Sequence, residues 1–140
     1  AAAPAVDIAS YIVNGKTITL NYMYRSNGVA GAGSASNIGR FTLPVGVTLD
    51  TTYIITDNNG TAGNLPYGSI IGQGILTYQS PPSSGSNARV NIYAYDSTNF
   101  GLYMDYSNSN NLSRFGQAID FSSFGVSGYG FSITLTAPIL

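Results

Sequence analysis

Apolar and polar residues alternate along this chain with a period of two, and no stretch of useful length repeats at the helical period. The first clear unit is Tyr11-Ile12-Val13, then Asn14-Gly15, then Lys16 to Arg25. Asn-Gly between two β-rich runs is the strongest short hairpin signal, because both central turn positions demand positive φ. On the second arm Ile18, Leu20, Tyr22 and Tyr24 share one face, and Thr17, Thr19, Asn21 and Arg25 share the other, with Met23 the apolar exception. Such a strand buries one side and wets the other.

Further strands are expected at Arg40–Leu43, stopped by Pro44, and at Tyr53–Asp57, closed by Asn58-Asn59-Gly60. A long extended run covers Ser69–Gln79, where Gly72 and Gly74 signal a bulge or the close approach of another backbone. Arg89–Ser97 and Asn99–Tyr106 form the clearest pair, and Ala118–Phe124 and Phe131–Ile139 complete the set. Ser26–Ile38, Pro66–Gly68, Pro81–Asn87 and Asn108–Gln117 read as loops. Eight or nine short strands separated by turn signals predict an all-β, antiparallel β-sandwich or jelly roll, occupying residues 1–140 as a single domain. No internal repeat interrupts it.

Composition narrows what such a domain can do. Charged residues are only 8% of the 140, against about 25% in ordinary soluble domains. A net charge of −1 supplies no field for steering nucleic acid or anionic membrane. There is no Cys and no His, which removes disulfides, thiolate chemistry, the usual general base and the commonest zinc ligand. Glu is missing too, so six Asp are the only side-chain carboxylates. Ala1–Ala5 has neither the basic start nor the apolar run of a signal peptide.

Asp96 and Asp105, on neighbouring strands, are the one pair that could serve as the acid and nucleophile of a glycosidase. Asp96, however, opens a Ser-Thr-Asn turn, where Asp bonds its own backbone. Asp57-Asn58-Asn59-Gly60 resembles the start of a calcium loop but lacks the closing acidic residue. Gly28–Gly33 has no Lys-Ser/Thr after it to cradle a phosphate. Asn59-Gly60-Thr61 and Asn111-Leu112-Ser113 match the glycosylation pattern without any secretion signal. No catalytic residue, metal or cofactor is expected, and the chain reads as non-enzymatic.

The residues that stand out are aromatic. On the Arg89–Ser97 strand, Val90, Ile92 and Ala94 supply the inner face, which leaves Tyr93 and Tyr95 on the face that should be wet. Tyr103 sits likewise on the next strand. Tyr contributes large area at low entropy cost and keeps a polar tip, so it is favoured where one protein meets another molecule. These rings either complete the core of a small sandwich or act as subunit contacts. Arg40, Arg89 and Arg114 are the candidate anion contacts, because Arg pairs bidentately with carboxylates at partly buried places.

A Cys-free chain rich in Ser, Asn and Gly fits an exposed protein not made through an oxidising secretory route, such as a virion protein assembled in bacterial cytoplasm. The texture of the whole length resembles the C-terminal head (knob) domains of bacteriophage tail needles and tail fibres. Gly128-Tyr129-Gly130-Phe131-Ser132-Ile133-Thr134-Leu135 is similar to the last core strand of tumour-necrosis-factor-like and complement-like jelly rolls. Ala1-Ala2-Ala3-Pro4-Ala5 resembles the junction with an upstream stalk, spanning residues 1–6. The terminal Ala-Pro-Ile-Leu is similar to phage fibre endings.

The resemblance implies a homotrimer at a virion tail tip, extracellular, meeting a host cell-surface glycan or outer-membrane component or aiding envelope penetration during genome ejection. The arginines add to this that one or two of them sit at a subunit boundary, pairing with an Asp or a small carboxylate ligand, where otherwise they cap solvated strand ends. The loops at 26–38 and 107–117 are then the expected receptor-facing parts. Two other functions compete: a carbohydrate-binding module of a secreted enzyme, which the lack of Trp disfavours, and a structural virion cap or decoration protein.

Overall fold

Strand β1 (Val6–Asn14) and strand β2 (Thr17–Arg25) pair antiparallel in unbroken register, from Val6 opposite Arg25 to Asn14 opposite Thr17. The computed structural model describes residues 6–25, 40–57, 67–80, 84–104 and 130–140. The register places the turn at Gly15-Lys16, one residue later than the Asn14-Gly15 expected from the sequence. Gly15 has φ of 58°, and no residue other than glycine has positive φ among those described. A two-residue turn with positive φ at its first position alone is the II′ kind, for which glycine at that position suffices. On β2 the expected alternation holds, with Ile18 and Leu20 buried, Tyr22 and Tyr24 half-buried, and Asn21, Met23 and Arg25 exposed.

The remaining strands are β3 (Arg40–Thr42), β4 (Ile70–Ser80), β5 (Ser84–Ala94), β6 (Asn99–Met104) and β7 (Gly130–Pro138). The described residues form one antiparallel sheet in the order β1-β2-β7-β4-β5-β6-β3, curled into a half-barrel. The all-β, antiparallel expectation is met, with seven strands among the described residues. Strands β1 and β3 are the two edges. A register shift between Ile70 and Gly72 marks the bulge that the glycines of this run announced. A Cβ on Gly72 would lie 2.3 Å from the Thr134 carbonyl oxygen, and one on Gly74 2.3 Å from that of Ser132. Only glycine lets β7 come that close.

Two expectations are corrected. Tyr53–Asp57 is not a strand. It runs as a turn and irregular chain, because its hydrogen bonds go to single partners, Tyr53 N–H to Asp50 and Asp57 N–H to Ala94, rather than along a ladder. Ser84–Asn87 is not loop but the start of β5, paired with β4 through Gln79 opposite Gly85 and Ser80 opposite Ser84. Its polar residues carry no apolar alternation, so backbone pairing there is invisible to a hydrophobic pattern. The Ala118–Phe124 strand and the loops at 26–38 and 107–117 lie outside the described residues.

Inside the curl, Ile18, Leu20, Val90, Ile92, Ala94, Phe100, Leu102, Phe131, Ile133 and Leu135 form the core. Each fully buried aliphatic or phenyl side chain adds about 1.5–3 kcal/mol relative to exposure. Phe41 of edge strand β3 reaches across the interior to Phe131 of β7, with ring centroids 5.0 Å apart and edge to face. It also stacks on Phe100 at 5.5 Å. These ring contacts draw the two halves of the sheet toward each other.

Candidate interaction surface

Because opposed residues of antiparallel neighbours share a face, the register maps the outer surface of the curled sheet row by row. One row runs Ser10, Asn21, Thr134, Gln73, Asn91, Tyr103 across β1 to β6. Thr134 Oγ1 donates to Asn21 Oδ1 at 2.7 Å, and Gln73 Nε2 to Asn91 Oδ1 at 3.2 Å, so the row is an uncharged polar ladder. Beside it runs Ile8, Met23, Ser132, Ile75, Arg89, in which Ile8, Met23 and Ile75 are exposed. The third row ends at Tyr93, Gly101 and Arg40.

That end gathers the tyrosines singled out in the sequence. Tyr93 packs with Tyr95 and Tyr103, its ring centroid 6.1 Å from that of Tyr103. Tyr93 lies on the outward face as expected, yet it is 0% exposed within a single protomer. The space it fills is left by Gly101, where a Cβ would stand 2.4 Å from the Tyr93 ring. A wet ring awaiting a partner is therefore not what Tyr93 is; it belongs to a small second core. Burial, then the charge of Asp57 and the neighbouring Tyr95, raises its hydroxyl well above the usual tyrosine range, while Arg40 pulls the other way. The hydroxyl has no hydrogen-bond partner among the described residues.

Tyr95 and Tyr103 stay partly exposed at the rim of this cluster. Arg40 lies over the Tyr95 ring, its guanidinium carbon 4.9 Å from the centroid, and one of its N–H groups donates to the Tyr95 hydroxyl at 3.5 Å. Arg89 is exposed on β5 opposite Ile75. It is two rows from Arg40 along the outer face, so the structure does not bring the two together. Arg114 lies outside the described residues.

The feature that sequence reading missed is β1. Eight of its nine residues are exposed and the other is intermediate, and apolar residues stand on both faces. Ile8 (59% exposed) and Ile12 (72%) point outward, while Tyr11 and Val13 share the inner face with Leu20 and Ile18. Its far edge pairs with no other strand among the described residues, and no Lys, Pro or bulge within β1 guards that edge. The signal was present in Val6–Val13, apolar at odd and even positions alike, but a hairpin begun at Tyr11 leaves half of it out.

Where β1 faces β3 across the open seam, a cleft of about 310 Å³ is lined by Asp7, Tyr11, Tyr22, Phe41, Thr42 and Phe100 among others. The Tyr22 hydroxyl donates to Asp7 Oδ1 at 2.8 Å. Burial, with that bond and the Asp7 charge, raises the Tyr22 hydroxyl above its usual range.

The carboxylates do structural work. Asp96 Oδ1 accepts the backbone N–H of Thr98 at 2.7 Å and of Asn99 at 2.8 Å. Burial works to raise its pKa, but the bonds from Thr98 and Asn99 outweigh it and hold the carboxyl below the usual range. Asp105 lies outside the described residues. Asp57 Oδ2 accepts the Tyr67 N–H at 2.7 Å, and Asn58-Asn59-Gly60 of the calcium-loop expectation lie outside the described residues. Among the described residues no cluster of three metal-ligating side chains occurs. No family model, curated protein or solved structure matches the chain.

Proposed function

We propose that this chain is a non-enzymatic contact domain, the trimeric knob at the tip of a bacteriophage tail needle or fibre. In this reading it meets the host surface or aids passage through the envelope. The observation that supports self-association is β1, a nine-residue strand whose one edge pairs with no strand among the described residues and whose apolar side chains stand on both exposed faces. Such an edge invites pairing, and natural proteins blunt or cover it. Copies of the same chain cover it without any outside partner, and the adjoining Ile8–Met23–Ile75 row extends the apolar contact. That copies meet rests on β1; that they number three rests on the resemblance of the sequence to phage knobs. Tyr95, Tyr103 and Arg40 sit at the other end of the outer face as secondary contacts, and Tyr93 acts only by holding them.

The test is the native mass, by light scattering at micromolar concentration, of the wild type and of an Ile8→Lys/Ile12→Lys variant. The wild type is expected at three times the 14.6 kDa protomer, and the variant at the protomer mass with its fold intact. A monomeric wild type overturns the proposal. A variant that keeps the full assembly removes β1 from the interface.

A further inference from the structure

We infer that β1 of one copy docks on a second apolar surface of the next copy, made by Tyr53, Ile55, Tyr67 and Ile70. These four side chains are between 57% and 84% exposed. They stand on two segments bonded side by side. The Ser69 N–H donates to the Ile55 carbonyl at 2.7 Å, Ser69 Oγ accepts the Ile55 N–H at 2.9 Å, and Asp57 Oδ2 accepts the Tyr67 N–H. Ile70 opens β4 opposite Tyr93, so the surface adjoins the corner where Tyr95 and Tyr103 lie. Asp57 is the one charged residue in 53–57 and 67–70, and it is buried. A fully buried tyrosine covers about 150–250 Å², so Tyr53 and Tyr67 alone present on the order of 300 Å². An uncharged apolar patch of that size marks a place where another molecule sits.

Symmetry selects the occupant. A strand that meets its own counterpart does so across a two-fold axis, and that contact joins two copies only, whereas a closed ring of three joins two unlike surfaces on every subunit. The chain presents two such surfaces. On the outward face of β1 stand Ile8, Ser10 and Ile12, uncharged like Tyr53, Ile55, Tyr67 and Ile70. Strands β1 and β4 are three places apart in a sheet that curls into a half-barrel, so the two surfaces look in different directions, as ring closure requires. Each contact takes both surfaces out of water together, and neither asks the other for a counter-charge. The inference rests on the trimeric reading above and assigns the two halves of its interface.

The test is native mass, by light scattering at high micromolar concentration, of four samples: wild type, Ile8→Lys/Ile12→Lys, Ile55→Lys/Tyr67→Lys, and an equimolar mixture of the two variants. Wild type is expected at three times the 14.6 kDa protomer, and each variant alone at the protomer mass. The mixture is expected at twice the protomer mass, because the intact β1 of one variant meets the intact patch of the other and rebuilds a single contact. All four substituted side chains are more than half exposed, so circular dichroism should show both variants folded; Tyr53→Lys takes the place of the patch variant if that one unfolds. Either variant keeping the wild-type mass, a patch variant that pairs through β1, or a mixture that stays at the protomer mass overturns the inference. A monomeric wild type refutes the trimeric reading and this contact with it, whereas a trimer untouched by the patch substitutions refutes this contact alone.

Discussion

Replacing Tyr93 by Phe removes one oxygen from the most enclosed aromatic side chain outside the main core, and the protein should become more stable. The hydroxyl is buried and gains no hydrogen bond from the described residues in return for the water it left. An unsatisfied buried hydroxyl costs about 1–3 kcal/mol, whereas the ring packing is untouched by the change. For 140 residues, unfolding entropy near 2.1 cal/mol/K per residue makes each kcal/mol worth about 3–4 °C of melting temperature. Tyr93→Phe should therefore melt about 3–10 °C higher in a calorimetric or circular-dichroism scan. The companion change Gly101→Ala tests the same pocket from the other side. Its Cβ would stand 2.4 Å from the ring, so it should destabilise by at least the 1–3 kcal/mol typical of overpacking. A Tyr93→Phe protein that melts lower than wild type would refute the reasoning, because the hydroxyl would then have to hold a bond worth more than its burial costs.

Three further outcomes are expected. Gly74→Ala should lower stability by more than about 1–3 kcal/mol, because the new methyl meets the Ser132 carbonyl and the Ile133 backbone as well as the Ile133 side chain, and the backbone cannot swing aside; a melting temperature within a degree of wild type would show that β4 and β7 part freely. Asp96→Ala should cost about 0.5–2 kcal/mol, as the loss of a side chain that satisfies turn or cap N–H groups does. Since the folded carboxyl sits below its ordinary value, the Asp96 contribution is present above about pH 4 and lost as pH falls through the folded value; wild type and variant should converge in acid, and a constant gap down to pH 2 would contradict this. Tyr22 and Tyr93 both hold their protons more tightly folded than unfolded, so their contribution is complete below about pH 10 and declines above it. Chemical denaturation at pH 9 and 11 should show a larger loss in wild type than in a Tyr22→Phe/Tyr93→Phe protein, and equal losses would count against it.

Legibility in the sequence followed the hydrophobic alternation. Where one face is steadily apolar, as in Ile18–Arg25, Val90–Ala94 and Phe131–Leu135, the strand and its buried face were readable. Where they do not, reading failed for physical reasons. Ser84–Asn87 is held in β5 by backbone bonds that its small polar side chains do not advertise. Tyr53–Asp57 has β-forming residues but no strand among the described residues to ladder with. The outward placement of Tyr93 was legible, but its burial was not, because it depends on the absent side chain of Gly101 across the β5–β6 pair. The seam cleft needed β1 and β3, distant in the chain and at opposite edges of the sheet, to be brought face to face by the curl, and no local pattern encodes that.

The uncharged ladder from Ser10 to Asn91 has a consequence for where the domain can operate. Ions in the medium weaken attractions between charges, and at about 0.15 M salt their reach is already cut to about 8 Å. Amides and hydroxyls pair through dipoles at contact range, and that pairing is nearly indifferent to dissolved salt. A face made this way should grip as firmly in brine as in fresh water.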